Sequence, residues 1–500
     1  MAIKLILLLM FGAVTIFMGF YFRKRARSVD DFVLGGRKVG PWFSAFAYGT
    51  SYFSAVVFVG YAGQFGWKLG TSVLWVAITC TFIGTTMPWL ILARRTRLMT
   101  QHLKSSTMPE FFGARFMSAP LKIGASIIIF IFMIPYTAGL YNGLSRLFAM
   151  AFHLDFEYII IAMALITGIY VVVGGYLATV ANDLFHGAIM LVGIVIINIV
   201  ALNAKGGFTE ALHALARVNT DEAATVPGIF ISFFGPDPLT LFGIIALTAF
   251  GTWGLPQMIS KFYAIKSEKM ISKGTVVSSV FSLIVCGGCY LLGSFGRLYA
   301  DVIERRPDGA IIYDSIIPTI ISQFSDLMIG MVILLVFAAS ISTLSSLVMV
   351  SASTLTLDFL KGHVIKKMDD KKQLLIIRGL ILVFIVISVI ISIFQFRKGS
   401  YFIAQLIGIS WGGMAGSFLA PFLYGLYWKR VSKVSVWCCF IFSTALMALN
   451  IFFRSSFPAI LQSPINAGAL AVLAGLVIVP VVSMLTKAPD KVEDFFTSVE

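Results

Sequence analysis

From end to end the chain repeats one pattern, an apolar run of about twenty residues followed by a polar and often basic connection. A helix rising 1.5 Å per residue needs roughly 20 apolar residues to cross a hydrocarbon core of ~30 Å, so each run predicts a transmembrane helix. The first run, Leu5 to Tyr21, has the length of a signal peptide, but Arg23, Lys24, Arg25 and Arg27 follow where a small-residue cleavage site belongs. It is read as a retained helix. Twelve more are predicted at 41–67, 70–93, 118–150, 156–176, 179–202, 237–262, 272–297, 322–358, 373–396, 402–427, 434–453 and 466–486. The expectation is an all-α integral membrane protein of about 13 helices, one transmembrane domain over 1–500.

Two of these runs are not ordinary helices. The second continues from Pro41 through Thr50 and Ser54 to Gly60, Gly63 and Gly66, and the seventh carries Gly251, Gly254, Pro256 and Gln257. A mid-span proline removes a backbone hydrogen bond, and such breaks are tolerated in a membrane only where they are buried or line a cavity. Close helix packing is the alternative use of glycine. Two breakable spans, five spans apart, point to two inverted five-helix repeats with a binding site between them. The repeats would cover 41–202 and 237–427, flanked by an extra helix in 1–22 and further helices in 434–486.

Composition narrows the class. The chain is 58% hydrophobic and 12% charged, with mean hydropathy +0.93, against ~45–50% and ~25% for soluble domains. The formal charge of +15 sits in short loops and forms no continuous stripe, so no nucleic-acid partner is expected. Basic loops stay cytoplasmic, and one alternate set is basic: Arg23 to Lys38, Arg94 to Lys104, Lys261 to Lys273, Lys361 to Arg378 with Lys366, and Lys429 with Arg430. The other set is mixed, as in Asn203 to Pro236 with Glu210, Asp221 and Glu222. With an odd helix count, the N-terminus falls outside and the C-terminus in the cytoplasm, in the cell inner (plasma) membrane. The five cysteines lie in apolar runs and read as packing, Cys286 and Cys289 included; the five histidines, His153 among them, show no metal-ligand spacing.

Candidate chemistry concentrates in the ninth span, where Ser340, Ser342, Thr343, Ser345 and Ser346 crowd one stretch. Hydroxyls, with carbonyls freed by a broken helix, are hard oxygen ligands for a cation such as sodium. Back-bonding to the carbonyl four residues earlier is the local alternative. Asp183 opens the sixth span, where an acid is costly unless wet or paired; a cation path and a helix cap are compatible roles for it. No nucleophile, base or metal set clusters as an enzyme would require, since Asp369 and Asp370 sit among lysines. A solute sensor would need an output domain, and Thr486 to Glu500 are too few to supply one.

These pieces carry a resemblance. Phe32 to Arg37, Met108 to Phe111 with Arg115 and Phe116, Gly174 to Ala178 followed by Asp183, Gly254 to Gln257, Ser342 to Ser345, and Trp428 to Arg430 stand in the order of the sodium:solute symporter family, over about residues 5 to 435. The resemblance implies a LeuT-like core of two inverted five-helix repeats and Na+ as coupling ion. It also implies a sodium site between the second and ninth spans, made by the carbonyls of Thr50, Phe53 and Ala339 and the hydroxyls of Ser342 and Thr343. Asp183 would lie on the sodium path to the cytoplasm. Proline symporters of the family carry an aspartate where this chain has Tyr52, which argues against proline as solute. Around the implied central cavity stand Tyr48, Tyr52, Ser54, Tyr61, Gln64, Tyr136, Trp253, Gln257 and Trp411, none of them a cation. A carboxylate would then rest on a half-helix N-terminus. The expected partners are a small organic solute (amino acid, carboxylate or vitamin-like) and the lipid bilayer, with no obligate protein partner. A proton-coupled or ion-independent carrier of the same fold is the alternative, with Asp183 as its titrating group.

Overall fold

A computed structural model describes every residue except 1, 27, 153–154, 220–225, 366, 399–402, 490–492 and 498–500. Arg27, His153, Asp221, Glu222 and Lys366 therefore lie outside the described residues. Helix dominates throughout, and the β pairing among the described residues is limited to isolated bridges such as Val39 with Ile265.

Eleven helical stretches among the described residues are long and apolar enough to cross a bilayer. Two of them, Val56–His102 and Phe156–Asn203, have 47 and 48 residues, or roughly 70 Å of helix against a core of ~30 Å. Each contains a backbone break. Gly70 has φ +61°, and a Cβ there would stand 2.1 Å from the Phe230 carbonyl oxygen. Gly175 has φ +62° and ψ −160°, with the Phe32 ring where a Cβ would be. Only glycine takes that conformation without strain, so these residues interrupt the two long stretches.

The ends of other helices follow from local chemistry. Asp237 caps Pro238–Gly251 by accepting the Thr240 N–H at 3.0 Å, and Thr107 caps Met108–Arg115 by accepting that of Glu110 at 3.1 Å. The Glu110 carboxylate accepts in return from the Ser106 N–H at 2.7 Å, a reciprocal cap. Short helices at Val29–Leu34, Met108–Arg115, Phe208–Ala216 and Ile316–Ser322 occupy connections in which the hydrophobic pattern predicts none. They are too short for a periodicity signal, and side chains cap two of them, Ser28 before Val29–Leu34 and Thr107 before Met108–Arg115.

Both predicted breaks are present. Pro41–Tyr52 stops at Phe53, which is extended at φ −97° and ψ 102°. The ladder restarts at Ser54, whose carbonyl accepts from Val57 and Phe58 and whose hydroxyl accepts from Val56. In the seventh span Pro238–Gly251 gives way to an irregular turn, Leu255 is extended, and Pro256–Tyr263 begins anew. Proline disfavours helical backbone in the residue before it, which accounts for Leu255. The stretch Asp326–Lys361 passes through the protein interior with Ser340 to Ser346 buried, while Leu90, Leu165, Leu375 and Val477 stay exposed on outer faces. That inversion, hydroxyls inward and leucines outward, is what a lipid solvent selects.

Candidate functional site

The break after Tyr52 leaves the last carbonyls of Pro41–Tyr52 without helical partners. One of them is taken up from another helix: the Thr343 hydroxyl lies 3.0 Å from the Thr50 carbonyl oxygen and 3.1 Å from that of Ala339 on its own helix. Thr50, Phe53, Ala339, Ser342 and Thr343 are all buried, so this junction gathers carbonyl and hydroxyl oxygens with no fixed charge. Such a set suits a hard monovalent cation. The Phe53 carbonyl belongs to the same helix end. Ser342 Oγ donates to the Ala338 carbonyl at 3.0 Å and meets His186 Nδ1 at 2.8 Å. Since the Ser342 proton is committed to Ala338, His186 Nδ1 is assigned as the donor. His186 Nε2 then accepts from Thr15 of the first helix at 3.1 Å. Back-bonding within the helix and gathering of oxygens at the break thus coexist in the same hydroxyls.

Asp183 does not cap a helix. It lies inside Phe156–Asn203, eight residues past the Gly175 break, fully buried, and neither carboxylate oxygen accepts a hydrogen bond. The Thr50 and Ser342 hydroxyls stand beside it, yet they donate to Phe46 and Ala338. Its charge partner is Lys261, with Nζ 4.0 Å from Oδ2. Sequence reasoning assigned Lys261 to a cytoplasmic loop; in the structure it lies on Pro256–Tyr263 and is 1% exposed. His186 was also missed. Both became visible only once the helices were brought together, and the signal that pointed to them was a charge or imidazole inside an apolar run.

A narrow cavity, with free space of about 10 Å³, adjoins the first break. It is lined by Tyr52, Ser54, Tyr61, Tyr136 and Trp411 from the predicted set, together with Cys80, Thr248, Cys286 and Tyr290, which sequence reasoning did not select. The Tyr52 hydroxyl donates to the Thr248 carbonyl at 2.9 Å, which holds the second span against the seventh. The Tyr61 hydroxyl and Trp411 Nε1 are buried with no hydrogen-bond partner. Four of the candidates do not line this cavity. Tyr48 donates to the Gly84 carbonyl and packs on Trp89 and Phe262. Trp253 donates to the Ile83 carbonyl. Gln64 and Gln257 are buried elsewhere, on Ala62–Leu69 and Pro256–Tyr263. No group of three or more His, Cys, Asp or Glu among the described residues is arranged to hold a metal ion.

The chain matches the family model described as "Sodium:solute symporter family" over residues 32–439. It is 30% identical over 482 residues to the osmoregulated proline transporter OpuE of Bacillus subtilis (strain 168), covering 95% of this chain and 93% of that one. It is 29% identical to a sodium/proline symporter of Staphylococcus aureus, over 86% and 82% of the two chains. Among solved structures, a substrate-bound, outward-open Na+-coupled sialic acid symporter superposes with a TM-score of 0.75 over 98% of this chain and 99% of that chain, at 16% identity.

Proposed function

The chain belongs to the sodium:solute symporter family, and from that premise we propose that sodium binds at the first helix break and drives alternating access. The protein is a multi-pass membrane transporter coupling a small organic solute to Na+; it is not an enzyme. The proposed ligands are the carbonyls of Thr50, Phe53 and Ala339 and the hydroxyls of Ser342 and Thr343, with Asp183 on the path to the cytoplasm. One observation carries this assignment: Thr343 reaches the Thr50 carbonyl at a helix end that the backbone leaves open. A cation there would draw the second span onto the ninth. That closure would order the adjoining cavity for solute and permit rocking toward the cytoplasm. One charge crossing 100 mV supplies roughly 2.3 kcal/mol, more than the ~1.4 kcal/mol that tenfold accumulation requires.

The same reading gives thirteen spans, supported by the two overlong stretches with positive-φ glycine breaks. It gives two inverted repeats, supported by broken helices in the second and seventh spans. The basic connections support an external N-terminus and a cytoplasmic C-terminus in the plasma membrane. The solute is proposed to occupy the cavity beside the first break, whose aromatic walls and few polar groups suit a compact molecule with an apolar body. Relatives named as proline transporters make proline the first candidate to test, although Tyr52 offers no charge to its ammonium.

The test is uptake into proteoliposomes of labelled proline, other amino acids, monocarboxylates, pantothenate and sugars under an inward sodium gradient, repeated with choline. The expected result is accumulation of one compound class with sodium alone. Equal uptake in choline would reject sodium coupling in favour of a proton-coupled or ion-independent carrier.

A further inference from the structure

A second, narrow cavity, with free space of about 30 Å³, is lined among others by Thr107, Tyr176, Ser260, Lys261, Ser346 and Ser353. Its charge is supplied by the Lys261 ammonium. That group donates to Ser346 Oγ at 2.9 Å, sits 4.0 Å from Asp183 Oδ2, and lies over the Tyr176 ring at 5.4 Å. Ser346 Oγ in turn meets Ser51 Oγ at 3.0 Å, one residue along from the Thr50 carbonyl that receives Thr343. A buried ammonium therefore stands at the only carboxylate proposed for the sodium path, within two hydroxyls of the proposed site.

Burying a lysine this deeply is costly, and pairing with Asp183 is imperfect, because both carboxylate oxygens lack a hydrogen bond. An optimised structural ion pair would close that gap. What the geometry offers instead is a carboxylate that two cations share in turn. Sodium leaving Thr50 and Thr343 for Asp183 meets the ammonium's field, and the ammonium has the Ser346 hydroxyl and the Tyr176 face toward which to shift. Lys261 also rides on Pro256–Tyr263, the second half of the broken seventh span, so any tilt of that half-helix changes its distance from Asp183.

Resting on the sodium-site reading above, we propose that Lys261 is the resident counter-ion of Asp183. It competes with sodium on the cytoplasmic path and thereby sets how tightly sodium is held. It is a positioning residue, acting through Asp183 and touching neither solute nor the proposed sodium ligands.

The experiment is sodium-dependent thermal stabilisation of the purified full chain in detergent, with choline holding ionic strength, which requires no knowledge of the solute. Lys261→Gln removes the competitor and is expected to lower the half-saturating sodium concentration at least tenfold. Lys261→Arg strengthens it through a two-pronged grip on Asp183 and is expected to raise that concentration severalfold. Opposite shifts support the proposal, whereas a structural lysine would move both variants the same way, or neither, and that result overturns it. Should Lys261→Gln fail to fold, the arginine variant decides alone: a rise supports competition, and an unchanged or lower value refutes it. Absence of any sodium-specific stabilisation in the wild-type chain would instead sink the sodium-site reading itself.

Discussion

The cavity beside the broken second span and the cavity beside Lys261 differ in one respect that matters. The one flanked by Tyr52, Tyr61, Tyr136 and Trp411 contains no charged side chain, whereas the one lined by Lys261 borders a buried ammonium and carboxylate. On the proposed assignment, solute and ion would be handled by different chemistry. In the first, the buried donors on Tyr61 and Trp411 have no partner and stand free to orient a proposed solute against an aromatic wall. In the second, Coulomb attraction governs, and in a dry interior it reaches further and costs more to leave unpaired. The lesson is that solute selectivity and sodium affinity should be separable by mutation.

The largest expected break in that separation is thermodynamic. Asp183→Ala strands Lys261, and removing one partner of a buried pair costs ~3–5 kcal/mol; thermal unfolding should show that loss, with Lys261→Met in the same chain recovering much of it. If the double variant were no more stable than Asp183→Ala, the two residues would not be acting as a pair.

A charge outside both cavities provides the control. Asp314 is buried, lies 3.9 Å from Arg146 and accepts the Ile403 N–H at 3.2 Å; burial pushes its carboxyl up to about 6 in spite of both partners. A raised acid binds protons more readily folded than unfolded, so stability should increase as pH falls from 7 toward 4, by up to ~3 kcal/mol. Asp314→Asn should flatten that slope while leaving the sodium half-saturation of uptake unchanged. A slope that persisted in the variant would assign it to another group.

Smaller effects should divide by cavity. Thr343→Ala removes a hydroxyl from the ion side and is expected to raise the sodium half-saturation about tenfold, ~1.4 kcal/mol. Tyr61→Phe removes one donor from the solute side, worth ~0.5–1.5 kcal/mol. It should weaken solute half-saturation a few-fold with the sodium value measured at saturating solute unmoved. Coupled shifts in both variants would mean that the two cavities are energetically one.

What the sequence disclosed and what it concealed follow the range of the interactions. The breaks at Phe53 and Leu255 were legible because glycine and proline act on their own backbone. The hydroxyls of the ninth span were legible because their density is itself unusual in lipid. Lys261 was hidden since its burial depends on how a half-helix of eight residues sits against distant helices, and a lysine near a span's end reads as a loop. Cys80, Thr248 and Cys286 were hidden for the same reason: small side chains in apolar runs carry no local sign of facing a cavity. Trp253 and Tyr48 lie off this cavity, because a buried aromatic with one polar atom satisfies it on a neighbouring carbonyl as readily as on a solute.

The central claim is that sodium sits where Thr343 meets the open end of the first half-helix. Equilibrium binding of labelled sodium to purified wild-type and Thr343→Ala protein, with choline as the balancing cation, tests it most directly. Saturable binding in the wild type that is weakened about tenfold or lost in the variant is the predicted result; equal binding by the two proteins would contradict the account.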